Sequence, residues 1–197
     1  MAKPTTSFLD EFVNAARGTV ALVIGNRQAS SYFDFRQAGL VGSFIAVLLG
    51  MAVQAFVPQL FGGPRAPAGV ATGAIILGGM VLAVQFGVAW LVLRQLGRGD
   101  GFVPFVVTQN WVTLFQSIVA VAIIVIFGQP IALSAGGEMA QLTAGSIPFA
   151  ALGIAALVVS INIARLILTL KPMHVALFVM VQLGAAFLIQ PLIGAMI

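Results

Sequence analysis

Residues 147–174 read IPFAALGIAALVVSINIARLILTLKPMH. From 147 to 170 this stretch holds one charge, Arg165, and it closes on Lys171-Pro172. A helix needs ~20 apolar residues to cross a hydrocarbon core of ~30 Å. A helix also satisfies its own backbone polar groups, which lipid cannot do. The stretch therefore predicts a membrane-crossing helix. A second apolar run, 173–196, begins just past Lys171-Pro172. So short a connection predicts a tight antiparallel hairpin of two crossings.

Three more apolar runs precede this pair, at 39–57, 69–93 and 102–127. Prolines punctuate them. Pro104 and Pro148 sit near helix starts, where a missing N–H costs little. Pro58, Pro130 and Pro172 follow helix ends. The predicted fold class is all-α: a polytopic integral membrane protein with five transmembrane helices over 38–197, led by a segment over 1–37. Composition agrees. The chain is 60% hydrophobic and 7% charged, with mean hydropathy +1.12, against roughly 25% charged residues in soluble domains.

The basic residues give direction. Lys3, Arg17, Arg27 and Arg36 precede the first run; Arg94 and Arg98 end the second; Arg165 and Lys171 end the fourth. Only Arg65 lies in a connection of opposite parity, which makes eight on one side and one on the other. Cytoplasmic loops hold the excess of Lys and Arg. The N-terminus is expected in the cytoplasm and the C-terminus in the periplasm of a bacterial inner membrane. The connection 128–146 is then external, and it carries Glu138 and no Lys or Arg. A net charge of +4 gathered at membrane edges suits anionic lipid headgroups rather than nucleic acid. With no cysteine in the chain, disulfides, thiolate metal sites and cysteine nucleophiles are excluded. Asp10 and Glu11 occupy the place of a basic n-region, so no cleaved signal peptide is expected.

Ser7 followed by Asp10 reads as a helix cap with a capping-box acid, although the usual acid is Glu. Phe8, Leu9, Phe12, Val13, Ala16, Val20, Val23 and Ile24 then recur at helical spacing. This predicts an N-terminal cytoplasmic amphipathic helix. It lies in the interface or packs as a cytosolic helix on the bundle. Tyr32, Phe33 and Phe35 form an aromatic cluster before the first crossing, at the headgroup level such rings favour.

Small residues spaced by four mark candidate helix-packing faces: Gly69 and Gly73, then Gly79, Ala83 and Gly87, and on the fourth run Ala156, Ser160 and Ala164. Such faces let helix backbones approach closely, either within the five helices or against another chain. Polar residues inside the runs form a second set. Gln109, Asn110, Thr113 and Gln116, with Ser117 alongside, lie on the third run, and Asn162, Arg165 and Thr169 on the fourth. Arg94 and His174 lie at the same level on the second and fifth. The deduced topology places all of them toward the cytoplasmic half. Two readings stand: a cytoplasm-facing polar cavity formed by Arg94, Gln109, Asn110, Thr113, Gln116, Asn162, Arg165 and His174, or interhelical glue with Arg165 snorkelling to the interface.

No Asp or Glu lies inside any run, which disfavours proton coupling. One His and no G-x-S-x-G elbow argue against an enzyme, and no cofactor or metal is expected. The segment Gly97-Arg98-Gly99-Asp100-Gly101 follows a helix rather than a strand, so it reads as a flexible cytoplasmic turn and not a phosphate loop.

The layout, with Asn26-Arg27-Gln28-Ala29-Ser30-Ser31-Tyr32-Phe33 leading into the first crossing, resembles the Yip1-domain membrane proteins over residues 8–196. A proline frequent in that approach is missing, and the tyrosine-glycine motifs of the trafficking members are absent. No functional residue therefore carries over. The resemblance implies a membrane-organising or partner-binding protein. The expected function is a non-catalytic scaffold or accessory subunit that binds other membrane proteins or forms a homo-oligomer. The alternative is a small transporter or channel for a polar or anionic solute.

Overall fold

The computed structural model describes residues 7–60, 70–128, 131–132 and 141–194. Lys3, Arg65, Gly69 and Glu138 lie outside the described residues. Among the described residues the fold is all-helical apart from one two-residue ladder. Its helices are α1 (Phe8–Val23), α2 (Gln37–Leu60), α3 (Val70–Gln95), α4 (Phe102–Phe127), α5 (Ser146–Asn162) and α6 (Pro172–Gly194). Among the described residues four helices are long and apolar enough to cross a membrane: α2, α3, α4, and α5 with the turn that continues it to Ile167. The apolar stretch described on α6 is shorter, Pro172–Leu188. Strands β1 (Ile131–Ala132) and β2 (Gln141–Leu142) pair antiparallel between α4 and α5.

Local chemistry fixes the ends. At the start of α1 the Ser7 Oγ accepts the Asp10 amide at 3.2 Å, and Asp10 Oδ2 accepts the Ser7 amide at 3.3 Å. Aspartate thus makes the reciprocal bond usually given by glutamate. Gly25, at φ +71°, ends the same helix. There the Asn26 amide reaches back to the Ala21 carbonyl and the Gly25 amide to Leu22, a Schellman closure that needs left-handed backbone. Gly97, at φ +68°, closes α3 the same way, with Arg98 bonding Leu93 and Gly97 bonding Arg94.

The closest helix pair is α2 on α4. Gly42, Ser43, Ala46, Val47 and Gly50 are buried along one face of α2. A Cβ added at Gly50 would lie 3.1 Å from Leu114 Cα and 3.2 Å from Ser117 Oγ. At Gly50 the missing side chain lets the two backbones meet, whereas Gly42, farther back on α2, faces the Glu11 carboxylate of α1. Hydrogen bonds also join α2 and α4: Asn110 Nδ2 donates to Ser43 Oγ at 3.0 Å, and Gln54 Nε2 to Ser117 Oγ at 3.0 Å.

The α5–α6 hairpin forms as the short connection requires, with a widened end. Ile163–Ile167 make a π-turn, and the Leu170 amide bonds back to the Ala164 carbonyl. Thr169 follows at φ +49°, an uncommon conformation for a β-branched residue. Arg98 secures it, donating to the Thr169 carbonyl at 3.2 Å and to its Oγ1 at 2.9 Å. The 97–101 segment is therefore a capped and anchored turn rather than a flexible one.

The core gathers at the Arg-rich end of the bundle. It is built from Leu22 and Ala15 of α1, Leu93 of α3, the 105–114 half of α4, Ile163–Leu168, and Val175 and Phe178 of α6. Phe8 lies tilted against Trp111, Phe12 meets it edge-on, and Phe12 also meets Phe115.

Candidate functional site

The eight polar residues of the candidate cavity separate over several surfaces. Asn110 is fully buried toward α2 on its Ser43 bond, and its Oδ1 has no hydrogen bond among the described residues. Asn162 faces the opposite neighbour: its Nδ2 donates to the Leu22 carbonyl at 2.7 Å and so ties α5 to the end of α1. Thr113 and Gln116 are half-buried on α4, and His174 is half-buried in the first turn of α6. Arg94 and Arg165 are exposed, with Arg94 lying over Trp90 of its own helix at 5.2 Å. Of the eight, Gln109 alone lines the cavity that the structure forms between α3, α4, α5 and α6. One shared cavity is not assembled, because residues one or two apart on a helix point to different neighbours.

That cavity holds about 130 Å³. Its polar lining is Gln85, Gln109, Ser160 and Gln182, and no charged residue lines it. Gln182 Nε2 donates to the Gln85 carbonyl at 3.3 Å. Gln85 and Gln182 were legible as amides inside apolar runs, yet they lack the helical repeat that marks the stripe on α4. Drug-sized sites run to roughly 300–1,000 Å³. At ~30 Å³ per water this space suits roughly four waters.

A larger cavity, about 460 Å³, opens at the Arg-rich end between α1, the approach to α2, and Trp111. Glu11, Asn14, Tyr32, Asp34 and Arg36 contribute its polar lining. Arg36 Nε donates to Asp34 Oδ1 at 2.8 Å, and Nη2 completes a forked pair on Oδ2. Asp34's hydrogen bond and then its charge raise the Arg36 pKa, with a further push from Glu11. The Glu11 carboxylate lies against Gly42, so tightly that a Cβ there would collide with it. These residues carry no periodic pattern. Their signal in the sequence is only that acids are rare, and two of them flank the aromatic approach.

The two small-residue faces have different fates. On the fourth run, Ala164 is fully buried in the π-turn that continues α5, while Ala156 and Ser160 are half-buried and Ser160 donates back to the Ala156 carbonyl at 2.9 Å. Only its Ala164 end packs inside the bundle. On α3, Gly79, Ala83 and Gly87 are exposed, and added Cβ atoms at Gly73, Gly79 and Gly87 meet nothing within 4 Å. Ile76, Met80, Val84 and Leu91 share this outward side. Comparisons with protein-family models, with curated proteins and with solved structures find no match.

Proposed function

We propose that this chain is a non-catalytic integral membrane scaffold or accessory subunit that self-associates or binds other membrane proteins through α3. One observation carries the reading: Gly79, Ala83 and Gly87 form a shallow outward track that no helix among the described residues fills. Lipid gives no hydrophobic drive for helix pairing, so close backbone approach along small residues is what membrane helices use. A track of this kind on the outside of a bundle fits a helix from another chain.

The rest of the proposal concerns orientation. α6 is the fifth crossing, as in the Yip1-domain layout that the sequence resembles. The Arg-rich end is cytoplasmic in a bacterial inner membrane by the positive-inside rule, with the N-terminus inside and the C-terminus in the periplasm. α1 is an interfacial amphipathic helix. Leu9, Val13, Val20 and Ile24 are exposed on one side of it and Asp10 and Arg17 on the next, while Ala15, Gly18 and Leu22 are buried. This arrangement supports an outer face resting on lipid.

The transporter reading rests on the 130 Å³ cavity. It is small for a solute site, and its uncharged lining gives an anionic solute no counter-charge. The deciding experiment is extraction from native membranes in mild detergent, with and without Gly79→Ile and Gly87→Ile together. The scaffold reading expects a co-purifying partner or second copy that the double variant loses. Retention of the same species by the double variant would refute α3 as the contact.

A further inference from the structure

The 130 Å³ cavity between α3, α4, α5 and α6 lies deep in the bundle. Gln85 stands nine residues before Arg94 on α3, and Gln182 ten residues after Pro172 on α6. At ~1.5 Å per residue both lie roughly 14–15 Å from the Arg-rich end, about half of a ~30 Å hydrocarbon core. The side-chain amides of Gln85 and Gln109 are half-buried and make no hydrogen bond among the described residues. Gln182 uses one N–H on the Gln85 carbonyl and keeps its second N–H and its Oε1. Hydrocarbon offers such groups no partner, so they stay unsatisfied until something polar enters. Buried apolar side chains stand between the cavity and the Arg-rich end. Phe105 and Phe178 lie one turn nearer that end, buried, with ring centroids 5.3 Å apart, and Leu93 and Leu168 are buried beyond them. The lateral side differs. Leu183 lines the cavity and is 38% exposed, between exposed Met180 and Phe187 on the same side of α6.

We infer that this cavity receives the uncharged glycerol head of a diacylglycerol, which enters sideways from the hydrocarbon. The inference rests on α6 being a crossing, as proposed above, and not on the α3 contact. No charged residue lines the cavity, and charge near the midplane is costly. A phospholipid is held at the interface by its phosphate; a diacylglycerol has no charge to hold it there. Its hydroxyl donates and accepts, and its ester carbonyls accept. The open lining groups are matched to that head: N–H donors and carbonyl acceptors on Gln85, Gln109 and Gln182. A head with acceptors only would leave the amide oxygens unpaired. Room for roughly four waters at ~30 Å³ each takes the head and not the chains. The chains follow Met180, Leu183 and Phe187 on the outer side of α6.

The test places the full chain in phosphatidylcholine nanodiscs with a photoreactive diacylglycerol that carries a diazirine beside one ester. Saturable adducts are expected on residues 182–186 of α6. Unlabelled dioctanoylglycerol should displace the probe. Phosphatidic acid with the same chains should need roughly tenfold more, and the matching fatty methyl ester, which lacks a donor, about fivefold more. Free glycerol should not compete. Gln109→Leu should weaken labelling about fivefold, and Ala186→Phe, which fills the cavity from its wall, should abolish it. Adducts that do not saturate, equal competition by phosphatidic acid or the methyl ester, or unchanged labelling of Gln109→Leu would overturn the site. Glycerol competing as well as the lipid would overturn the lipid assignment. The competition series uses the unaltered chain, so the test survives if a variant fails to fold. Leu183→Cys, in a chain with no other cysteine, tests the crossing separately: it should resist a water-borne maleimide applied from either side of the membrane. Labelling there would overturn the crossing and the site with it, whereas protection without lipid binding would overturn the lipid site alone.

Discussion

Gly50→Leu tests the α2–α4 seam quantitatively. A Cβ at position 50 would already stand 3.1 Å from the Leu114 Cα and 3.2 Å from the Ser117 Oγ. Ordinary contact begins near 3.4 Å, so even alanine asks both helices to give a few tenths of an ångström. Leucine adds three further heavy atoms against a backbone atom that cannot rotate away. Overpacking of this kind costs about 1–3 kcal/mol. Parting the helices also stretches the Gln54–Ser117 bond, 3.0 Å and one turn along, and intramembrane bonds of this kind average about 0.6 kcal/mol. The expected loss is about 2–4 kcal/mol, a factor of roughly 30 to 1,000 in the folding equilibrium. The assay is reversible unfolding in bicelles, followed by steric trapping or denaturing-detergent titration. Gly153→Leu on α5 is the paired control: the residue is exposed and nothing lies within 4 Å of its added Cβ, so it should move stability by less than about 0.5 kcal/mol. A Gly50→Leu cost below that figure, or equal costs at both positions, would refute the packing argument.

Other expectations follow from single contacts. Asn162→Ala removes the 2.7 Å bond to the Leu22 carbonyl; it should cost about 1 kcal/mol and raise amide hydrogen exchange in α1 while the α2–α4 pair stays protected. Arg98→Ala frees the connection at Thr169, which Arg98 holds by two bonds, so limited proteolysis between 168 and 172 should accelerate several-fold. Arg165→Leu, at an exposed residue with no ion pair among the described residues, should change stability by less than about 0.5 kcal/mol and leave co-purification intact.

Run length and hydropathy made the helical architecture readable, because each is a property of a whole segment. The cap at Ser7 was readable for the opposite reason: it needs only residues three apart. Contacts between segments were harder. Small residues stand out by their spacing on the second and fourth runs, yet a close approach of two helix backbones occurs at Gly50 on the first. Spacing by four says that a helix can be approached; it does not say by which neighbour. Asn110 and Asn162 stand out in the sequence as amides inside apolar runs, but each serves a different helix. Their shared depth was legible and their directions were not. The larger cavity was invisible for a related reason. Glu11, Tyr32, Asp34 and Arg36 meet only once α1 folds back on Trp111, and nothing in the local pattern announces that return.

The central claim is that the outward face of α3 holds another helix. The most direct measurement is the mass of the particle extracted from native membranes into polymer nanodiscs, by native mass spectrometry. The scaffold account predicts a protein mass above the 20.4 kDa of a single chain, returning to that value in the Gly79→Ile, Gly87→Ile double variant. A single-chain mass in the unmodified protein would contradict it.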